Sequence, residues 1–310
     1  MPLRRRTAAA ATLVLAAAGV AAEERLPIID MHQHARLKVR RGPDGQPMPR
    51  PCEPRPCEST PARYTTDESI RLGTLAEMER HGVVLGFLSD HVESVYQWVA
   101  AAPGRFIPSV AWMDEVGPDL ESLRAAYRSG RLKGMGEIAT QYATMAPNDP
   151  RLEPYYALAE ELDLPVLIHT AGLGAPTPGF RASLGRPLQL EEVVVRHPRL
   201  RLYLENAGYP FLEEAIALMV QHPQVHADVS TITWLIPRQA FYRHLQGLMD
   251  AGLGKRVMFG SDQMEWPEVI GLGVEAIESA PFLTPAQRRD ILYHNAVRFL
   301  RLPPGESQVR

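Results

Sequence analysis

The sequence contains only two cysteines, no basic stripe and, beyond its N-terminus, no apolar run as long as a membrane-spanning helix. Without a basic stripe, nothing supports a nucleic-acid partner. Without a long apolar run, the body of the chain has no membrane span. A glycine-rich phosphate turn after an early strand is also missing, which disfavours a doubly wound nucleotide-binding sheet. No shift in composition marks a second domain, so we expect one domain with an ordinary hydrophobic core.

The N-terminus has the three parts of a secretory signal peptide. Arg4, Arg5 and Arg6 give a positive start, residues 7–20 are apolar and rich in alanine, and small residues precede Ala22. The apolar part is short for a membrane span, and paired arginines suit either the general secretory or the twin-arginine route. We therefore expect a signal peptide over residues 1–22 and an exported, periplasmic or secreted domain over residues 23–310.

The two cysteines, Cys52 and Cys57, lie close together in a loop rich in proline. An exported protein with an even cysteine count favours a disulfide between them. A metal site is the alternative, but two thiols with no histidine nearby make a poor ligand set. The loop around them, over residues 38–66, is long enough to be functional or disordered.

Strand and helix patterns alternate along the rest of the chain. The predicted strands are Leu26–Met31, Val83–Leu88, Phe106–Ala111, Leu132–Ile138, Pro165–His169, Leu200–Glu205, Val225–Val229 and Val257–Gly260. A helical pattern follows each of them, and the last strand is followed by two helices, over 267–279 and 285–300. Alternation of this kind predicts a parallel sheet. Eight such units in this length predict an α/β fold of the (β/α)8 TIM-barrel type.

Several of these strands end in residue types that can bind metals. His32 and His34 follow the first strand at a spacing of two residues, which places both on one face of an extended chain. Glu137 ends strand four, His169 ends strand five and Asp262 follows strand eight. Chemistry in a TIM barrel lies at the carboxyl ends of the strands. The strand ends therefore predict a shared site for a divalent metal.

These motifs together resemble the amidohydrolase superfamily, and within it the amidohydrolase-related (amidohydrolase 2) group, which also contains decarboxylases. The resemblance rests on Asp30-x-His32-x-His34, the strand-five histidine and Gly260-Ser261-Asp262, and it extends over residues 26–301. It implies that His32, His34 and His169 are metal ligands. It also implies that Asp262 contacts the metal and transfers protons. Glu137 would bridge two metals or serve as a substrate or supporting group.

Strand six departs from the pattern of this group, because Asn206 stands where a histidine is usual. Asparagine is a poor zinc ligand. Either the neighbouring Glu205 takes over, or Asn206 contacts the substrate and donates a hydrogen bond. Adjacent strand residues point to opposite faces, so the pleat favours Asn206 as the group that faces the site. With asparagine at this position, the presence of the metal ligands does not by itself imply that the protein turns over a substrate.

Substrate contacts are predicted from charge and position. Arg36 and Arg181 would pair with a carboxylate, for which arginine is suited, although a solvated surface position is the alternative for each. His91 follows strand two and would line the pocket, and Glu205 would contact the substrate.

The predicted function is that of a metal-dependent hydrolase which cleaves a C–N or C–O acyl bond in a small molecule. One or two ions would activate water, and Asp262 would act as general base and acid. Zinc is the first choice of metal, followed by manganese or iron. The alternatives are a metal-dependent decarboxylase and a catalytically silent exported binding protein. The expected partners are a small-molecule substrate and, in a homo-oligomer, further copies of the chain.

Overall fold

Eight parallel strands form one sheet in the computed structural model, which describes residues 26–35, 64, 66–174 and 177–303. The strands are paired in chain order, from β1 to β8. Backbone hydrogen bonds also join the last strand to the first, because Met31 N donates to Phe259 O at 2.9 Å and Gln33 pairs with Gln263. The predicted (β/α)8 barrel is therefore confirmed. The strands are β1 Ile28–His34, β2 Val83–Ser89, β3 Phe106–Trp112, β4 Gly134–Ile138, β5 Pro165–Ile168, β6 Arg201–Leu204, β7 Val225–Asp228 and β8 Val257–Met258.

Helices connect the strands and surround the barrel. They are α1 Asp67–His81, α2 Val92–Ala101, α3 Leu120–Arg128, α4 Glu153–Glu161, α5 Glu191–Arg196, α6 Leu212–Gln221, α7 Ile232–Leu235, α8 Arg238–Asp250, α9 Val269–Glu278, α10 Pro285–Arg289 and α11 Asn295–Leu300. None of the helices in the described ranges combines the length and the apolar character that crossing a membrane requires.

The bounds of α1 follow directly from its sequence. Thr66 caps its N-terminus by accepting a hydrogen bond from Ser69 N at 3.1 Å, and the Ser69 hydroxyl accepts from Thr66 N in return. Gly82 ends the helix with a φ of 73°, a left-handed conformation that glycine adopts at little cost. This is the helix expected after the first predicted strand.

The amino-terminal end of the barrel is closed by α11. Met31, Phe87 and Tyr203 fill the barrel interior together with other apolar side chains, and Phe299 of α11 packs against this cluster. Arg201, the first residue of β6, donates to Phe299 O at 2.6 Å. Because this end is sealed by packing, the carboxyl ends of the strands are the end available for chemistry.

The structure differs from the sequence prediction in its shorter elements. The predicted helix over 285–300 is divided by a π-helical turn, Asp290–His294, between α10 and α11. A 3-10 turn, Pro187–Leu190, precedes α5, and the four-residue α7 was not predicted. One turn of helix is too short to show a period in the sequence.

Several predictions concern residues outside the described ranges. These are the signal peptide over 1–22, the long loop over 38–66 apart from Tyr64 and Thr66, the disulfide between Cys52 and Cys57, and the role of Arg36. They stay predictions.

Candidate metal centre

The two histidines of β1 are buried and face one another. The strand continues through both of them to His34, three residues beyond the predicted end. His32 is 0% exposed and His34 is 1% exposed, and their ring centroids lie 5.0 Å apart. Residues two apart on a strand share a face, so both rings point into the same site.

Two carboxylates meet the Nε2 atoms of these rings. Asp262 Oδ1 lies 3.0 Å from His34 Nε2 and 3.6 Å from His32 Nε2. Glu137 Oε2 lies 3.6 Å and 3.9 Å from the same two atoms. The ends of β1 and β4 and the loop after β8 thus converge, as the strand-end prediction required.

Asp262 is held in place by backbone and side-chain contacts. Its N–H donates to His32 O at 2.9 Å, and its Oδ2 accepts a hydrogen bond from the Thr231 hydroxyl. Burial raises the pKa of Asp262, but the charges of His32 and His34 and the hydrogen bonds that the carboxylate accepts outweigh burial and lower the pKa below its ordinary value. Asp262 is therefore ionised at neutral pH and able to accept a proton.

A second group of ligand atoms lies beside the first. His169 Nε2 is 3.5 Å from Glu205 Oε1, and Glu137 joins these two residues in a cluster whose ligand atoms all lie within 4.8 Å of one another. Glu137 also forms such a cluster with His32 and His34. It is thus the carboxylate that the two clusters share. The structure places His169 with carboxylates, rather than in one set with the β1 histidines.

The end of β6 corrects the argument from strand alternation. The strand ends at Leu204, and Glu205–Gly208 form a 3-10 turn in which Asn206 has a φ of 55°. The alternation of faces therefore does not extend to Glu205 and Asn206. Glu205 faces His169, whereas the Asn206 side chain bonds to the protein: Nδ2 donates to Glu205 Oε1 at 2.9 Å, and Oδ1 accepts from Thr231 N at 2.8 Å. The geometry favours Glu205 over Asn206 as the β6 group in the cluster.

A hydrogen-bonded chain orients the ring of His32. His32 Nδ1 lies 3.2 Å from Ser230 Oγ, which donates to Asp228 Oδ1 at 2.7 Å. Since the serine hydroxyl donates to the carboxylate, it accepts from Nδ1, which leaves Nε2 as the His32 atom that would bind a cation. Burial raises the pKa of Asp228 to about 7. Asp228 lies within the predicted strand seven, but no motif indicated a role for it, for Ser230 or for Thr231.

His34 and the first residue of the β1 motif also have carboxylate contacts. Asp90 Oδ2 lies 3.9 Å from His34 Nδ1. Asp30 Oδ1 accepts from His32 N at 3.1 Å and from Ser261 N at 2.8 Å, which ties β1 to the loop after β8. Burial raises the pKa of Asp30 to about 6. No sequence pattern indicated the contact of Asp90, which follows β2 directly.

His91 and Arg181, two of the residues predicted to contact the substrate, are both exposed. His91 is exposed at the start of α2 and lines a groove with Tyr96, Trp112 and Arg131. Arg181 is exposed, and its guanidinium donates to the carbonyls of Pro178 and Phe180 in its own loop. Their predicted contacts with substrate stay predictions.

A family model described as Amidohydrolase matches residues 29–302. The protein belongs to the amidohydrolase family. Proteins of this family are typically metal-dependent. A comparison with curated proteins gives no match.

Solved structures of the amidohydrolase family share its fold. An amidohydrolase from Burkholderia multivorans with bound zinc is 18% identical, covers 90% of this chain and 100% of its own, and has a TM-score of 0.62. A probable 2-pyrone-4,6-dicarboxylic acid hydrolase from Acinetobacter baumannii is 14% identical, with coverage of 89% and 100% and a TM-score of 0.61. The 5-carboxyvanillate decarboxylase from Sphingomonas paucimobilis is 17% identical, with coverage of 74% and 82% and a TM-score of 0.55.

The residues of this amidohydrolase-family chain fit a divalent cation. His32, His34 and Glu137 are all buried, with their ligand atoms within 4.8 Å of one another. Buried charges of this kind are costly unless they are paired or bound to a metal. Imidazole and carboxylate groups are the ligands that zinc accepts in catalytic sites, and they also suit manganese and iron.

Proposed function

We propose that this protein is a metal-dependent hydrolase that cleaves a C–O or C–N acyl bond in a small molecule. The observation that carries the proposal is the position of Asp262, an ionised carboxylate whose Oδ1 lies 3.0 Å from a ligand-type nitrogen of His34. Hydrolysis needs a group that takes a proton from the attacking water, and a carboxylate in this place meets that need. A divalent cation bound here supplies Lewis acidity and makes water a better nucleophile at neutral pH.

Different side chains have different roles in the proposed reaction. His32 and His34 would hold the cation together with Glu137. The hydrogen bonds from His32 through Ser230 to Asp228 keep the His32 ring in its ligating orientation. Asp262 Oδ1 accepts the proton of water and later returns it to the leaving oxygen or nitrogen. Thr231 donates to Asp262 Oδ2, so that Oδ1 keeps a fixed direction during both transfers.

The test is a hydrolysis screen of purified protein loaded with Zn²⁺ or Mn²⁺, using lactones, esters and amides that bear a carboxylate. We expect formation of the hydrolysis product with at least one class, and a rate lower by about 100-fold or more in Asp262→Asn. Asp262→Asn should still bind metal through the two histidines. A wild-type protein that binds no metal under these conditions would overturn the proposal. Substrate binding without turnover, with metal present, would instead support a silent binding protein.

A decarboxylase is the second candidate function, and one observation favours it. Trp234 and Trp266 form an edge-to-face pair with ring centroids 6.4 Å apart, and Trp234 Nε1 donates to Ser261 O, next to Asp262. This pair offers an aromatic wall for a carboxylated ring. Carbon dioxide release from hydroxybenzoates, in a parallel screen, would favour this function over hydrolysis.

We also propose that the protein acts outside the cytoplasm, on the basis of the sequence of residues 1–22. The mass of the protein recovered from the extracytoplasmic fraction tests this, because cleavage after Ala22 removes a segment of known mass. Recovery of the full-length chain only from the cytoplasm would contradict it.

A further inference from the structure

The turn after β6 contains three successive residues with a left-handed backbone conformation. Asn206, Ala207 and Gly208 have φ values of 55°, 47° and 68°. Glycine adopts such angles freely and asparagine tolerates them, but alanine, which has a Cβ and no polar side chain, adopts them only at a cost in free energy. Ala207 is 0% exposed. Its conformation therefore has to be held by contacts with surrounding residues.

His244 of α8 contacts the middle of this turn. Its Nε2 lies 3.0 Å from Ala207 O, 37 positions earlier in the chain. The residue is 4% exposed and lies on the buried face of α8, together with Phe241 and Leu245. A polar side chain among apolar ones is stable only with a hydrogen-bond partner, and Ala207 O is such a partner.

The protonation state of the His244 ring follows from its surroundings. Burial lowers the pKa of His244 below its ordinary value of 6.5, so the ring is neutral at neutral pH and carries one N–H. A carbonyl oxygen only accepts, so Nε2 carries this hydrogen and donates it to Ala207 O. Tyr209 packs edge-to-face against the ring, with centroids 5.3 Å apart, which restricts rotation of the ring. His244 thus holds Ala207 with one directed hydrogen bond.

Glu205 is the residue that this turn presents to the candidate metal centre. Its Oε1 lies 3.5 Å from His169 Nε2. The same oxygen accepts a hydrogen bond from Asn206 Nδ2 at 2.9 Å. The direction of the Glu205 carboxylate therefore depends on the backbone conformation of the residues that follow it.

The turn is attached to the barrel on two sides. On the side of β7, Asn206 N donates to Asp228 Oδ1 at 3.0 Å, and Thr231 N donates to Asn206 Oδ1 at 2.8 Å. On the side of α8, His244 donates to Ala207 O. Loss of the second attachment removes a donor from a buried carbonyl and lets the left-handed alanine relax. Such a relaxation would move Asn206, and the carboxylate bonded to Asn206 would move with it.

We propose that His244 is a positioning residue of the candidate metal centre, which holds Ala207 in its left-handed conformation and so keeps Glu205 directed at His169. The inference rests on the proposed function, because Glu205 and His169 belong to the cluster of ligand atoms beside the proposed hydrolase site. Groups that orient metal ligands without binding the metal are worth about 10–100-fold in metal affinity. His244 acts through the backbone of the turn and is not itself a ligand.

The test compares two substitutions of His244 in protein loaded with Co²⁺, because the visible absorption spectrum of Co²⁺ depends on the arrangement of its ligands. His244→Leu removes the N–H, whereas His244→Gln keeps an amide N–H donor at a similar distance along the side chain. We expect His244→Leu to change the spectrum and to raise the Co²⁺ dissociation constant about tenfold. His244→Gln should retain the wild-type spectrum and dissociation constant.

His226→Leu is the matched control for the loss of a histidine that bonds a carbonyl. His226 Nδ1 lies 3.3 Å from Gln224 O, but its ring packs against Phe299 at the closed end of the barrel. The control should keep the wild-type Co²⁺ spectrum. Urea unfolding of the metal-free proteins should show comparable losses of stability in the two leucine variants, so that lower stability does not account for the altered spectrum of His244→Leu.

A double-mutant cycle with Glu205→Gln tests whether His244 acts through Glu205. Glu205→Gln alone should change the spectrum, and the addition of His244→Leu should cause no further tenfold loss of affinity. Equal losses in the wild-type and Glu205→Gln backgrounds would overturn the positioning role, as would an unchanged spectrum in His244→Leu. Both of these outcomes leave the proposed function intact, because the wild type still binds the metal. A wild type that binds no Co²⁺ would overturn both proposals.

Discussion

The hydroxyl of Ser230 should set the metal affinity of the centre, although it is not itself a ligand. Ser230 lies between His32 Nδ1, at 3.2 Å, and Asp228 Oδ1, at 2.7 Å. Ser230→Ala breaks this chain, so the His32 ring loses the partner that fixes its orientation and proton position. Groups that support a ligating histidine in this way are worth about 10–100-fold in metal affinity, which corresponds to about 1.4–2.7 kcal/mol.

The same substitution should cost little folding stability. Asp228 Oδ1 keeps two backbone donors, Asn206 N and Ser230 N, each at 3.0 Å, after the hydroxyl is removed. The hydroxyl loses two hydrogen bonds, one accepted from His32 Nδ1 and one donated to Asp228 Oδ1, which together cost about 1–2 kcal/mol. We therefore expect Ser230→Ala to lower the free energy of unfolding of the metal-free protein by about that amount, while its Zn²⁺ dissociation constant rises at least tenfold.

Two assays separate these effects. A competition titration with a chromogenic chelator gives the Zn²⁺ dissociation constant, and urea unfolding of the metal-free protein gives the stability. Thr74→Val is the matched control, because the Thr74 hydroxyl is equally buried but donates to Ile70 O within α1. It should lose similar stability and keep its metal affinity. A Ser230→Ala protein with an unchanged dissociation constant would refute the orienting role.

Two further predictions concern pH. Burial lowers the pKa of His226 to about 4, from an ordinary value of 6.5. The folded state thus favours the neutral ring, so the stabilisation is complete above pH 6.5 and is lost as the pH falls towards 4. Between pH 7.5 and pH 4.5, the free energy of unfolding in urea should fall by about 2.5 kcal/mol more in the wild type than in His226→Gln; equal falls would contradict this. Thr231→Val removes the hydrogen bond to Asp262 Oδ2 and should raise the pKa of Asp262. The acid limb of kcat/KM for any hydrolysed substrate should then move up by about one to two pH units, and an unmoved limb would show that Asp262 is not the base.

The position of the centre could be predicted because it depends on a local pattern. The apolar strands and their polar ends are visible in the sequence, and a parallel barrel brings all carboxyl ends of its strands to one side. His32, His34, Glu137, His169 and Asp262 meet there for that reason.

The division of these residues into two groups could not be predicted in the same way. It depends on how far each strand end reaches across the barrel mouth. The preference for Asn206 failed because strand alternation was extended beyond Leu204, where the chain already turns. A residue in the left-handed conformation, such as Asn206, produces no repeating sequence pattern by which the turn could be predicted.

The sequence alone determined the barrel and the chemical types of the groups at its mouth, because strand periodicity and strand-end residues are properties of neighbouring positions. Only the tertiary structure decided which groups touch. His32 meets Ser230 across 198 positions and His34 meets Asp262 across 228. Contacts between residues so far apart in the sequence form only when the sheet closes and its ends pack. The same closure places Glu205 opposite His169, and Asn206 donates a hydrogen bond to Glu205.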